Sequence, residues 1–160
     1  MIKKWVITAG LVALGLFAIT SAARSDAHIK LEKYSTARQA LMQLQSFNLL
    51  ELAAMVKGEA DYDAKLAQDL ANNLLAVAKL QQDVMWPQGS DSDALPGKTR
   101  ALKLAWETYP EIANRRNDMI KAAEALAASA GGGVDALKGT IGDVGRACTL
   151  CHDKFRARAE

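Results

Sequence analysis

The residues with the most specific chemistry stand close together near the end of the chain, at Cys148-Thr149-Leu150-Cys151-His152. This C-x-x-C-H pattern is typical of the covalent attachment of a c-type haem. On a helix, two thiols three residues apart share one face, so both can reach the two vinyl groups of one porphyrin. The imidazole follows on the same face and can bring a ring nitrogen to the iron. The pattern therefore predicts one haem c attached to Cys148 and Cys151, with His152 as an iron ligand.

Three other interpretations of the cysteine pair are open. A redox-active dithiol needs a βαβ context, and the sequence has no alternating strand pattern. A zinc site would have three ligands here, but the only other histidine is His28, far away along the chain. A structural disulfide between Cys148 and Cys151 leaves His152 without a role. Haem attachment accounts for all three residues and is the interpretation we favour.

The first residues of the chain have the parts of a secretory signal peptide. Lys3 and Lys4 precede an apolar run from Trp5 to Ile19, and small residues end the segment at Ala23. The run has about 15 residues, short of the roughly 20 that span a membrane. We predict a signal peptide over 1–23, with a cut as late as residue 27 as the alternative and an uncleaved anchor as the rival interpretation. The mature domain, 24–160, would then be periplasmic in a bacterium, with no stable membrane insertion.

Composition bounds the class of protein. The chain has 160 residues, half of them apolar and only 6% aromatic, which suits a single helical domain better than a sheet. Lys and Arg number 20 against 18 Asp and Glu. This near-neutral charge makes nucleic acid a poor candidate partner, and we predict none. Two cysteines cannot hold together a disulfide-rich scaffold, so a hydrophobic core must stabilise the fold.

Apolar residues recur at helical spacing in four segments. Short loops between long helices predict an all-α, antiparallel up-down four-helix bundle, with the haem bound near one end. Thr108-Tyr109-Pro110-Glu111 has the pattern of a capping box for the third helix. A polar loop over 87–93 and a short helical piece over 99–107 separate the second helix from the third. The four predicted helices cover 29–56, about 61–85, about 108–130 and about 135–157.

Three glycines repeat the three-residue spacing of the cysteines. Gly139, Gly142 and Gly145 precede Cys148 in one row along the fourth helix. Each costs roughly 1 kcal/mol relative to Ala inside a helix, so the row predicts a close neighbour. Haem and a tight helix crossing are equally good candidates for that neighbour.

With its export signal, predicted bundle and late C-x-x-C-H motif, the chain resembles the class II c-type cytochromes. That family comprises cytochrome c' and its low-spin relatives, the cytochromes c-556. The resemblance implies that His152 is the proximal ligand, that Arg38 lies near the haem propionates and that Arg156 affects the proximal side. It also implies a possible homodimer through the first two helices. Further landmarks are Arg38-Gln39, Val56-Lys57-Gly58-Glu59, Tyr62-Asp63, Trp86, Gly142-Asp143-Val144-Gly145 and Phe155-Arg156.

The residue four places after the arginine of the first helix faces the distal side of the iron in this family. In cytochrome c' it is usually an aliphatic or aromatic blocker, which leaves the iron five-coordinate and open to small gases. Here it is Met42, as in the c-556 branch, and a His/Met pair raises the reduction potential. Met55 lies about 20 Å further along an ideal helix and is too far away. Met85 stays open as a ligand, and Met42 as a simple core residue is the alternative.

The c-556 resemblance predicts a periplasmic mono-haem carrier of single electrons, with low-spin iron ligated by His152 and Met42. Its partners would be a redox protein donor and acceptor. The alternative is a five-coordinate cytochrome c' that binds nitric oxide or carbon monoxide. We expect no enzymatic activity, because no His, Arg or carboxylate group suited to peroxide chemistry accompanies Met42 in the sequence.

Overall fold

A computed structural model describes the backbone of residues 3–158 and the side chains of residues 30–158. Over this range the chain is helical, with an isolated antiparallel bridge between Ala101 and Arg156 and no strand. The all-α prediction is confirmed. The α-helices are α1 (Lys3–Lys57), α2 (Ala64–Ala78), α3 (Leu104–Glu107), α4 (Tyr109–Ser129) and α5 (Val134–Phe155), with 3₁₀ turns at Gln82–Met85 and Ala130–Gly132.

Helices α1, α2, α4 and α5 form the predicted four-helix bundle. Consecutive helices pack against each other, α1 against α2 and α4 against α5, and contacts of α2 with α4 and α1 with α5 close the bundle. The predicted signal peptide lies outside the residues whose side chains are described. Among the described residues, the structure contains no helix that combines the length and the hydropathy of a membrane span.

The turn between α1 and α2 forms as the sequence predicts. Gly58 adopts a left-handed conformation with φ 73°, which ends α1 at the expected glycine. The amide of Glu59 then donates to the Ala54 carbonyl at 2.9 Å, which satisfies one of the last acceptors of the helix. Asp63 caps α2, because its side chain accepts a hydrogen bond from the Leu66 amide at 2.8 Å.

Two local predictions are wrong. Helix α2 ends at Ala78 rather than near Met85, and the following residues turn toward α1 in the 3₁₀ turn. The capping box at the start of α4 does not form either. The Thr108 hydroxyl donates to the Leu104 carbonyl at 2.8 Å, and the Glu111 carboxylate accepts from Lys154 at 2.6 Å. Both side chains that would form the capping box, those of Thr108 and Glu111, therefore bind partners outside α4 instead.

The apolar core fills one end of the bundle. Its fully buried large residues are aliphatic and come from all four long helices, and buried alanines on α2 and α4 let these helices approach closely. We call this region the apolar end. Its main members are Leu52, Leu74, Leu126, Leu137 and Val144, with Ala67, Ala71, Ala78, Ala123 and Ala130 between them.

Candidate functional site

A cavity of about 850 Å³ occupies the other end of the bundle, which we call the cavity end. Its walls come from α1, from α4, from the last turns of α5 and from the 79–103 loop between α2 and α3. Clefts of about 300–1,000 Å³ are typical of cofactor sites. The cavity brings together every residue that the sequence predicts for the site. These are Arg38, Met42, Cys148, Cys151 and His152.

Both cysteines are free and half-buried at the cavity wall. Burial raises the pKa of the Cys148 and Cys151 thiols, so both stay protonated at neutral pH. Zinc requires thiolates, and the described residues contain no group of three or more His, Cys, Asp or Glu that could hold a metal ion. This environment disfavours the zinc interpretation, and the two thiols are available for bonds to a ligand in the cavity.

The imidazole of His152 is half-buried on the same wall, one helical turn from Cys148. Its pKa is lowered, first by burial and then by the positive charges of Arg156 and Arg100, against a weaker opposing effect of Asp153. A neutral imidazole has the free ring nitrogen that a metal ion needs. The chain thus prepares this histidine for coordination before any iron is present.

Arg38 organises the loop that covers the cavity. Its side chain is only 6% exposed, and burial lowers the pKa of Arg38 to about 10 despite the attraction of Asp91. One terminal nitrogen donates to the Met85 carbonyl at 2.7 Å and to the Ser90 hydroxyl at 2.8 Å, and the other donates to the Ser90 carbonyl at 2.6 Å. These bonds use three of the five guanidinium N–H groups, so two can still face a ligand.

Two tryptophans enclose the same guanidinium. The rings of Trp86 and Trp106 lie 5.3 Å apart at 53°, and the Trp106 indole N–H donates to the Trp86 carbonyl at 3.0 Å. The Arg38 guanidinium carbon lies 4.7 Å from the Trp86 ring centre and 5.7 Å from that of Trp106. A cation at this distance is attracted to the ring faces. The loop and α1 therefore form one rigid wall.

A second arginine in the cavity lining, Arg115, indicates which chemical groups a ligand in the cavity should have. The Nε of Arg115 is buried and has no hydrogen-bond partner among the described residues. A buried donor without a partner costs about 1–3 kcal/mol, so an acceptor is expected there. The carboxylates of a haem supply such acceptors. Its apolar ring suits the largely apolar lining, and its vinyl groups and iron suit Cys148, Cys151 and His152. The residues present fit a haem.

The methionines divide between the two ends of the molecule. Met42 lines the cavity, and so does Met119 on α4, whereas Met55 is buried at the apolar end. Met85 contributes its backbone carbonyl to Arg38. The structure therefore places Met42 in the same cavity lining as the C-x-x-C-H motif and places Met55 in the apolar core.

The glycine row does not lie against a tight helix crossing, which was one of the two neighbours predicted from its spacing. A Cβ built on Gly139, Gly142 or Gly145 would meet no atom of the described residues within 4 Å. The physical reason is helical geometry. Residues three apart rotate by about 60° per step around a helix that turns about 100° per residue. The glycines that precede Cys148 in this row therefore lie progressively further around α5 from the face that lines the cavity.

Sequence reasoning missed several residues of the site. Trp106, Arg100 and Arg115 line the cavity, yet they come from α3, the 79–103 loop and α4, whose placement the hydrophobic pattern does not reveal. Arg115 and Arg116 stand together on the first turns of α4 and were the only available signal. Charged neighbours on a helix are usually solvated, so this signal is weak by itself.

Comparison with known proteins agrees with this geometry. The family model described as Cytochrome C' matches residues 33–156. Cytochrome c-554 of Cereibacter sphaeroides is 34% identical over 81% of this chain and 96% of its own length. A solved cytochrome c' from Rhodobacter sphaeroides has a TM-score of 0.78, with 31% identity over 81% of this chain and 98% of that one. Another cytochrome c', characterised by ligand-controlled dimer dissociation, has a TM-score of 0.74 with 29% identity over 80% of this chain and 97% of that one.

These similarities correct the main functional prediction. The family model and the solved structures are those of cytochrome c', which was the alternative, and the c-556 branch is not supported. The predicted electron carrier with low-spin iron ligated by His152 and Met42 is therefore wrong. The sequence misled because a thioether at this position has two uses, as an iron ligand or as an apolar side chain that fills space. Spacing alone cannot separate them.

Proposed function

Because the chain belongs to the cytochrome c' family, whose members bind one covalently attached c-type haem, we propose that it binds nitric oxide or carbon monoxide at a five-coordinate haem iron. When bound, the haem would supply an iron that can bind a diatomic gas. In this proposal Cys148 and Cys151 attach the haem, His152 ligates the iron on the proximal side, and Arg38 contributes to binding the propionates. The proposal implies no enzymatic activity.

One observation supports the open distal position most directly. The described cavity lining offers a single imidazole, that of His152, and α1 contributes the flexible thioether of Met42 to the same lining. Met42 is half-buried, and its unbranched side chain can adapt to a ligand bound beside it. We assign Met42 the role of an apolar cover on the distal side.

The ferric visible spectrum and carbon monoxide binding test this proposal. We expect wild-type protein to be high-spin at neutral pH and to bind carbon monoxide after reduction. Met42→Leu keeps the volume of the cover without the sulfur, so its ferric spectrum should match that of wild type. Met42→Ala opens the distal space and should speed carbon monoxide association by about tenfold, which corresponds to about 1.4 kcal/mol.

Met55→Leu at the apolar end is the matched control and should change neither spectrum nor rate. A low-spin ferric spectrum of the wild type, converted to high-spin by Met42→Leu, would contradict the proposal. It would mean that the sulfur, and not the bulk, of Met42 acts on the iron.

We also propose export to the periplasm and association into a homodimer. The first rests on the basic and apolar start of the sequence, with 1–23 as signal peptide and 24–160 as the haem domain. The second rests on an apolar stripe along the outer side of α1, where Leu44, Phe47 and Leu50 are 54%, 58% and 62% exposed. A second copy of α1 could cover this stripe. Sedimentation of wild type against Phe47→Lys tests the dimer, and the variant should be monomeric.

A further inference from the structure

Charge is distributed very unevenly over the described molecule. Of its seven arginines, all but Arg146 line the cavity, and Lys98 joins them there. The only carboxylate in the same lining is Asp83. The rest of the chain over 30–158 carries ten Lys and Arg against fifteen Asp and Glu. The lining of the cavity therefore carries a net positive charge and the other described residues a net negative charge, although the chain as a whole is nearly neutral.

Internal contacts account for only part of this positive charge. Arg38 binds the loop carbonyls, Arg115 pairs with Glu111 and Asp118, and Arg116 pairs with Asp83 at 2.6 Å. Arg100, Arg156 and Arg158 form no ion pair with any described side chain, and all three are exposed. A haem has two propionates, so it cannot neutralise the whole set. We call these three arginines the basic rim.

Backbone pairing holds the basic rim together at the cavity mouth. The Leu102 amide donates to the Phe155 carbonyl at 2.9 Å, and the Ala157 amide donates to the Arg100 carbonyl at 2.8 Å. These bonds flank the isolated bridge between Ala101 and Arg156. The loop that carries Arg100 is thereby fixed to the end of α5, within reach of the wall that carries His152. Asp153 is the one exposed carboxylate beside this wall on α5.

We propose that the basic rim is the docking surface for an acidic redox protein that reduces the haem iron. The inference rests on the proposed function, because carbon monoxide binds ferrous iron and the ferric form must first gain an electron. The donor loses one electron, the iron gains one, and no bond is formed or broken. Arginines at the edge of the cavity that would hold the haem attract a negatively charged donor to that edge, which raises the association rate.

Reduction by small complexes of opposite charge tests the role of the rim. Stopped-flow reduction of ferric holoprotein by anionic iron(II)-EDTA is compared with reduction by cationic hexaammineruthenium(II) at low salt. The R100Q/R156Q/R158Q variant should react about tenfold more slowly than wild type with the anion and faster with the cation. The K57Q/K65Q/K138Q variant loses the same charge at the apolar end and should change either rate by less than about twofold.

A polyanion tests for protein-sized partners. Poly-L-glutamate should inhibit the reduction of wild type by iron(II)-EDTA and should have little effect on the rim variant. Slower reduction of the rim variant by both complexes would overturn the proposal, because it would show a change in the driving force of the iron rather than in docking. Inhibition by acetate and chloride equal to that by poly-L-glutamate would overturn the acidic protein in favour of a small anion.

These outcomes are separate from those of the proposed function. Gas binding is measured on protein already reduced by dithionite, and the ferric spectrum needs no reductant. A wild type that fails to bind carbon monoxide but shows the opposite-sign charge effects would refute the gas-binding proposal and leave the docking surface intact. A wild type that binds carbon monoxide but lacks those charge effects would refute the docking surface and leave the gas-binding proposal intact.

Discussion

The two ends of the bundle are stabilised by different interactions along the same helices. At the apolar end, α1 contributes Leu52 and Met55 to a core of interlocking aliphatic side chains. At the cavity end, the buried side chains of α1 include Ser35 and Arg38, which donate hydrogen bonds to backbone carbonyls of the 79–103 loop. The apolar end is complete as a packed core. The cavity end encloses about 850 Å³ that side chains do not fill.

This difference shows how the fold divides its tasks. A closely packed aliphatic core tolerates no large void, since each missing group removes contacts. A haem site needs such a void, so the loop around it must be held by directional bonds to α1 instead. We therefore expect the apolar end to stay structured without haem and the cavity end to depend on it.

The largest effect should come from removing both thiols. Cys148→Ala with Cys151→Ala should abolish covalent haem attachment, because no other described residue offers a thiol in this cavity. Denatured protein on a gel should then lose its haem peroxidase stain. Amide hydrogen exchange should remain slow around Leu74 and Leu126 and become fast over the 79–103 loop.

Thr149→Ala lies between the two cysteines and is the control, since its exposed hydroxyl only donates to the Gly145 carbonyl. It should keep the stain. Equal loss of protection at both ends of the double-cysteine variant would show that the bundle folds only as a whole, and the division of tasks would be wrong.

A truncation in the apolar core should have the next largest effect. Leu126→Ala removes a fully buried side chain and should lower the free energy of unfolding by about 3 kcal/mol. The visible spectrum of the haem should not change, because this position lies away from the cavity lining. Denaturant unfolding followed by circular dichroism measures the loss. Leu66→Ala, on an exposed leucine of α2, should cost well under half as much.

The apolar end was the part of the fold that the sequence could predict. Its helices follow from the spacing of Leu and Ala, and the α1–α2 turn follows from Gly58 and Asp63, because these signals act within a few residues. The end of α2 could not be predicted in the same way. Arg38 lies 47 residues away from Met85, and the hydrogen bond between them has no local signature.

Of the candidate site, only the residues that belong to a short sequence motif could be predicted reliably. C-x-x-C-H fixes three residues on one helical face, so Cys148, Cys151 and His152 lie on one wall as expected. The role of Met42 was not predictable, because the same side chain serves as ligand or as cover. The basic rim was also hidden. Its arginines are far apart along the chain and meet only through the bridge between Ala101 and Arg156.

Breaking the contact between α1 and the loop should have an intermediate effect confined to the cavity end. Arg38→Met keeps the length of the side chain but leaves the Met85 and Ser90 carbonyls without their donor. We expect a loss of about 2 kcal/mol in the free energy of unfolding. Hydrogen exchange should become faster across 85–98 and stay unchanged near Leu126. Arg146→Met, on an exposed arginine of α5, should be neutral, and an equally large effect there would refute the assignment.

The smallest effect should be a gain in stability on the outer face of α5. Gly139 and Gly142 lie inside the helix without positive φ, and an added Cβ would meet nothing within 4 Å. Alanine at each position should therefore raise the free energy of unfolding by about 1 kcal/mol through helix propensity alone. Gly133 is the opposite control. Its φ of 113° is unfavourable for a side chain, so Gly133→Ala should lower stability although the space around it is open. If Gly142→Ala instead destabilised the protein, this face of α5 would be covered by another molecule.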